Sequence, residues 1–216
     1  IRVLVSELQR ISSHLLAVGT FGLDVGAITP FQWTFRDRER ILDLFEQLCG
    51  ARLLYNYIWP GGVSHDLPPN FVKHTIEFID YFEPNIDELN DVLSTNKIFI
   101  ERSADVGILP AEVGINFGVS GPTLRGSGIN WDLRKNEPYS LYEKFDFNVP
   151  IGKGEMGTVG DCWDRYYVRV QEMKESVKII RQACAGLPEG NVHEALPKKI
   201  RPEAGEVYGR YESARG

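Results

Sequence analysis

The chain is poor in several things that common functions require. Its 216 residues hold three cysteines, Cys49, Cys162 and Cys184, far apart and without a C-x-x-C pair. That spacing argues against a structural zinc site and against the disulfide framework of small secreted domains, and it fits a reducing compartment. The four histidines, His14, His65, His74 and His193, have no metal-ligand spacing, so no metal is expected. His14 falls inside a helical pattern and reads as a core or interface histidine. No apolar run approaches the roughly 18–20 residues of a membrane-spanning helix. The longest candidate, Leu15 to Phe31, is interrupted by Thr20, Asp24 and several glycines. Any membrane association is therefore expected through partner subunits. Basic residues form no block and the net charge is −6, which argues against nucleic-acid binding, since phosphate contacts need clustered Lys and Arg. Nucleotide loops are missing too. Gly126 and Gly128 give G-x-G, but Trp131 stands where the third fingerprint glycine belongs, and GKGEMGTVGD at 152–161 has no Walker Lys-Ser/Thr pair.

What is present is a set of helical stripes. Ile1, Leu4, Leu8, Ile11, Leu15 and Val18 recur at steps of three and four, the signature of an amphipathic helix. If that helix continues past Gly19, Leu16, Thr20 and Asp24 stack along one face, and Pro30 stops the pattern. Thr34 is read as the cap of a second helix carrying Ile41, Leu44, Phe45 and Leu48 and ending at Gly50. Tyr55 to Val63 is strand-like around a Pro-Gly-Gly turn. Pro68 and Pro69 open a third helix through Phe71, Thr75, Phe78 and Phe82, and Pro84 breaks or kinks it before Ile86, Leu89 and Leu93 resume the stripe. A short helix through Ile98 and Ile100 follows. The clearest stripe runs from Trp163 through Tyr166, Val170, Met173, Val177 and Ile180 to Cys184, closed by Gly186. Two alternating runs, Leu141 to Val149 and Glu206 to Tyr211, read as strands, and Glu189 to Arg201 reads as extended.

Two features stand out chemically. Ser120 to Tyr139 threads four glycines with Arg125, Asp132, Arg134 and Lys135. Such composition predicts irregular backbone serving as a site, a docking loop or a plain surface loop. Asp24 is flanked by VGTFGL and VGAITPF, which contain no cation. A carboxylate desolvated there is a proton-handling candidate, unless it only caps a turn.

Several blocks together resemble the quinone-site subunit of respiratory complex I, the proton-pumping NADH:quinone oxidoreductase (the D subunit in bacteria, the 49-kDa subunit in mitochondria). They are E-x-x-R-I-x-S-H-L-L at 7–16, L-D-V-G-A-I-T-P at 23–30, PGGVSHDLP at 60–68, LRGSGINWDLRK at 124–135, GDCWDRY at 160–166 and E-M-K-E-S-V-K-I-I at 172–180. The resemblance implies a mainly α (α+β) fold, a helical bundle related to the large subunit of nickel–iron hydrogenases, with small β elements. Residues 1–216 would be one domain fragment, with N- and C-terminal parts of the full chain absent.

The implied function is quinone reduction by electrons from a neighbouring iron–sulfur subunit, coupled to proton translocation. Quinone would be the substrate, and this chain itself would bind no flavin or iron–sulfur cluster. Its partners would be other complex I subunits, above all the one carrying the terminal cluster, and its place the cytoplasmic side of the bacterial inner membrane, peripherally. By the resemblance Asp24 is the proton-transfer residue of the quinone site, Thr20 lines the quinone cavity, and Leu16 completes their helical face. The histidine and tyrosine that hold the headgroup in the family lie upstream of Ile1, so this stretch forms part of the site. Leu54 stands where mitochondrial members have a histidine near the terminal cluster, and Trp59 replaces an arginine. Arg125, Asp132 and Arg134 are expected to pair structurally. The alternatives are a hydrogenase-type large subunit, whose C-x-x-C pairs are not in this stretch, and a purely structural role in the arm.

Overall fold

The computed structural model describes every residue except Lys198 and Ile200; those two, inside the stretch expected to be extended, lie outside the described residues. Among the described residues there are eight α-helices: α1 (Arg2–Asp24), α2 (Ile28–Cys49), α3 (Phe71–Leu89), α4 (Lys97–Ser103), α5 (Ala111–Asn116), α6 (Gly121–Gly126), α7 (Leu133–Asn136) and α8 (Cys162–Ala185). One antiparallel hairpin joins β1 (Ile58–Trp59) to β2 (Gly62–Val63), with Ile58 opposite Val63. The fold is mainly α with small β elements, as the sequence predicted.

The stripes read from the sequence are the core. Leu4, Leu8, Ile11, Leu15 and Val18 of α1 are buried with Ile41, Phe45 and Leu48 of α2 and with Tyr166, Val170, Met173, Val177 and Ile180 of α8. Helix α1 packs on both α2 and α8, and α3 closes the opposite side against α2 and α8. The approach of α1 to α2 is set by Gly19, where an added Cβ would lie 2.1 Å from Thr34 Oγ1.

Five expectations change. Thr34 does not cap α2; it is buried inside it, with Oγ1 donating to the Phe31 carbonyl at 3.0 Å. Pro30 does not stop helical structure, because it sits in the first turn of α2, where its missing N–H costs nothing. Pro84 does not break α3, which runs on to Leu89 and then widens into a π turn at Asn90–Ser94. Leu141 to Val149 is no strand but a 3-10 turn at Tyr142–Lys144 followed by unpaired chain. Its alternation comes from Phe145, Phe147 and Val149, two residues apart, packing into a small second cluster with Val3, Tyr142 and Ile179, which mimics a strand's period of two. Glu206 to Tyr211 is likewise unpaired and exposed.

Helix ends follow ordinary chemistry. Gly50 caps α2 in the left-handed region, φ 74°, with its N–H on the Glu46 carbonyl at 2.8 Å. Asp161 caps α8 by accepting from Asp164 N at 2.8 Å. Gly186 does end α8, but at φ −107°, without the left-handed turn.

Candidate functional site

Helix α1 stays helical to Asp24, so Leu16, Thr20 and Asp24 stack as predicted. The structure places Thr20 and Asp24 on one open cleft of about 370 Å³, completed by Phe21 and, from the other side, Thr123, Cys162 and Arg165. Leu16 is half-buried on the same helix and does not line that cleft. The Thr20 hydroxyl donates back to the Leu16 carbonyl at 2.8 Å, with a longer contact to the Ala17 carbonyl at 3.2 Å. Its proton is therefore spent, and its oxygen lone pairs remain as acceptors.

The desolvated setting expected for Asp24 is not found: the residue is exposed. The chain turns over there through Gly26, φ 94°, so the last turn of α1 ends at the surface. Asp24 has no ion pair among the described residues. A carboxylate at a helix C-terminus also faces the negative end of the macrodipole, at a cost of roughly 0.3–1 kcal/mol, and no basic residue lies in the last turn to offset it. Asp24 thus contributes nothing evident to stability.

The charged residues of the glycine-rich stretch lie elsewhere. Half of the stretch folds into α6 and α7, the rest is irregular as expected, with Gly128 at φ 82°, and it carries Arg125 and Arg134 into a fully buried ionic cluster. Arg134 donates from Nη1 to Glu7 at 3.1 Å and from Nη2 to Asp132 at 2.7 Å. Glu7 also accepts from Tyr142 Oη and Ser176 Oγ, each at 2.6 Å, and pairs with Arg10 at 3.3 Å. Arg125 donates from Nε to Glu172 at 2.8 Å and from Nη1 to Glu212 at 2.8 Å. The second Glu172 oxygen lies 2.6 Å from His14 Nε2.

Burial alone would raise the Glu7 carboxyl, but Arg10, Arg134 and the two hydroxyls outweigh it and hold it at about 2. Glu172 is also pulled well below the carboxylate range, against its burial, by Arg125 and His14. Burial lowers His14, with Glu172 opposing. A neutral His14 must carry its proton on Nε2 to meet the carboxylate, which leaves Nδ1 as an acceptor without a partner among the described residues. The predicted structural pairing of Arg125, Asp132 and Arg134 is therefore present, and His14 is a core histidine.

Sequence reasoning missed Glu7, Arg10, Glu172 and Glu212 as members of this cluster. A usable signal existed: Glu7 adjoins Leu8, and Glu172 adjoins Met173, inside the apolar stripes of α1 and α8. A larger cleft, about 810 Å³, runs along α1 past Arg2, Gln9 and Tyr55 to Tyr211 and includes none of the predicted site residues. Leu54, before the hairpin, is 98% exposed with φ 58°, and Trp59 is also exposed. Among the described residues no group of three or more His, Cys, Asp or Glu is placed to hold a metal ion, and no helix is long and apolar enough to cross a membrane.

Residues 24–216 match the family described as respiratory-chain NADH dehydrogenase, 49 Kd subunit. The chain is 54% identical over 219 residues to the NADH-quinone oxidoreductase D subunit of Chlorobaculum tepidum, covering all of this chain and 55% of that protein. It is 55% identical to the corresponding protein of Chlorobium chlorochromatii over the same shares, and 52% identical to a D subunit of Cytophaga hutchinsonii, covering 57% of it. The chain thus spans little more than half the length of the curated relatives it matches. With the family matched across nearly its whole length, the chain belongs to the respiratory-chain NADH dehydrogenase 49 kDa subunit family.

Proposed function

We propose that this chain forms part of the quinone-reducing site of a proton-translocating NADH:quinone oxidoreductase, with the cleft at the end of α1 as its contribution. The observation that carries the reading is the placement of Thr20 and Asp24 together on that cleft, beside Cys162 and Arg165 of α8. Quinone reduction consumes two electrons and two protons. The electrons would come from the iron–sulfur cluster of a neighbouring subunit, and an accessible carboxylate at the cleft would relay protons toward the substrate. In the isolated chain Asp24 is solvated; covering the cleft with a partner subunit would strengthen every charge interaction there. Membrane contact would then come through partners, with this subunit peripheral on the cytoplasmic face.

The test uses the assembled complex. Asp24→Asn is expected to slow NADH:quinone turnover by about tenfold or more while electron transfer from NADH to an artificial acceptor at the flavin stays intact. Equal loss of both activities would assign Asp24 to assembly. That outcome would favour the second reading, a scaffold for the hydrophilic arm, to which the buried ionic cluster is equally suited.

A further inference from the structure

Residues 206–211 read EVYGRY, with three β-forming side chains in six positions. All six are exposed, Val207 fully, and Tyr208 and Tyr211 by 84% and 73%. None has a positive φ. Among the described residues none exchanges a backbone hydrogen bond with another segment. An added Cβ at Gly209 would meet nothing within 4 Å, so neither crowding nor a left-handed turn in this chain calls for glycine there. A glycine inside a strand pattern often marks the close approach of another backbone.

The segment is nonetheless fixed at one end. The next residue, Glu212, is buried. Its carboxylate accepts from Arg125 Nη1 at 2.8 Å and from Leu133 N at 3.1 Å, and its N–H donates to Tyr139 Oη at 3.2 Å. Arg10 donates to the carbonyls of Glu212 and Ser213 at 3.0 and 3.2 Å, and Arg210 pairs with Glu137. Side chains alternate along a strand, so Val207, Gly209 and Tyr211 share one face and Glu206, Tyr208 and Arg210 the other. Tyr211 also lines the 810 Å³ cleft, with Tyr55, Tyr57 and Tyr139, so the first face runs on into that cleft.

We propose that residues 206–211 form a β-strand that pairs with a strand from the part of this polypeptide outside these 216 residues. That part covers Val207, Gly209 and Tyr211 and closes the cleft beside them. The 219 aligned residues are 55% of the Chlorobaculum tepidum D subunit, so about 180 residues of it lie outside the match, enough for a sheet of several strands. Among the described residues the only strands are β1 and β2, and the outer edge of β2 is already taken: Val63 N donates to the Val192 carbonyl at 3.1 Å, and Glu194 N to the Gly61 carbonyl at 3.0 Å. Two features favour the same polypeptide over a partner subunit. Covalent attachment keeps both strands at high effective concentration, and Glu212 ties the segment into this subunit's own buried cluster. The pairing holds whether or not the cleft at Thr20 and Asp24 meets quinone.

The test places the photoreactive amino acid p-benzoylphenylalanine at Tyr211, and separately at Val207, in the assembled complex. Mass spectrometry then identifies the cross-linked peptides, and hydrogen exchange of the unmodified complex is read residue by residue over 206–211. The expected result is a cross-link to a peptide of the same subunit outside these 216 residues. Alternate amides of 206–211 should exchange about a hundredfold or more slower than in a free peptide. Cross-linking only to a different subunit, to a second copy, or to residues within these 216 would overturn the proposal. Exchange of all six amides at the free-peptide rate would overturn it as well, because no strand would then have formed, and that measurement needs no variant that must fold.

Discussion

Replacing Glu7 by glutamine keeps the shape of the side chain and removes the charge on which Arg134 and Arg10 converge. A carboxyl held at about 2 in the folded chain, against an ordinary value of 4.5, stabilises the fold at neutral pH by about 3 kcal/mol through linkage. The direct geometry agrees, since breaking a buried ion pair costs about 3–5 kcal/mol. The sign follows from the depressed pKa. The contribution is complete above pH 4.5, declines as pH falls toward 2, and vanishes below it. Urea unfolding of the full-length subunit, wild type against Glu7→Gln, is expected to show a gap of about 3 kcal/mol at pH 7 that narrows below pH 4.5 and closes near pH 2. Asp132 and Glu172, both held below their ordinary values, titrate in both proteins and largely cancel from the difference. A gap under about 1 kcal/mol at pH 7 would refute the ionic account of this cluster, as would a larger gap that ignores pH, which would point to packing instead.

The remaining expectations concern other regions. Gly152→Ala would set a Cβ 1.9 Å from the Gly126 carbonyl oxygen, and because both sides are backbone neither can yield. It should cost about 1–3 kcal/mol or more, seen as a fall of roughly 2–4 °C in Tm per kcal/mol. Asp24→Asn, described above, should separate quinone turnover from flavin-site activity. At Leu54, where the resemblance implies a histidine near the terminal cluster in mitochondrial members, wild-type complex should show little pH dependence of that cluster's potential. Leu54→His should move the slope toward the one-proton value of about 59 mV per pH unit, and a redox titration already showing that slope in wild type would contradict this.

Much of the architecture was legible because α1, α2, α3 and α8 bury stripes spaced by three and four, a property written locally. The extension of α1 to Asp24 was visible the same way. Proline misled at Pro30, read as stopping the pattern, whereas a first-turn position tolerates the ring; at Pro84, read as a break or a kink, the break is excluded because the apolar stripe carries α3 through it. The glycines of 121–128 were read as a sign of irregular backbone. Their role is partly spacing, since a Cβ at Gly126 would meet Arg165 Cγ at 2.6 Å. The ionic cluster was hardest to foresee. Glu7 and Arg134 are separated by 127 residues, Arg125 and Glu212 by 87, and no local period links such partners. The cleft was half legible: Thr20 and Asp24 share a helix face, but the arginines opposite come from α8 and from residue 215.

The late position of Glu212 has a kinetic corollary. Its carboxylate is an acceptor for Arg125 and for the Leu133 N–H, and its carbonyl accepts from Arg10 at 3.0 Å. During synthesis α1 leaves the ribosome roughly two hundred residues before that acceptor exists, at a chain growth of about 5–20 residues per second. For some ten seconds or more Arg10 lacks the Glu212 carbonyl it finally meets, and Arg125, 87 residues ahead of Glu212, waits about 4–17 seconds for that carboxylate. The ionic cluster cannot close vectorially; it waits for Glu212, an interval in which a chaperone has most to guard.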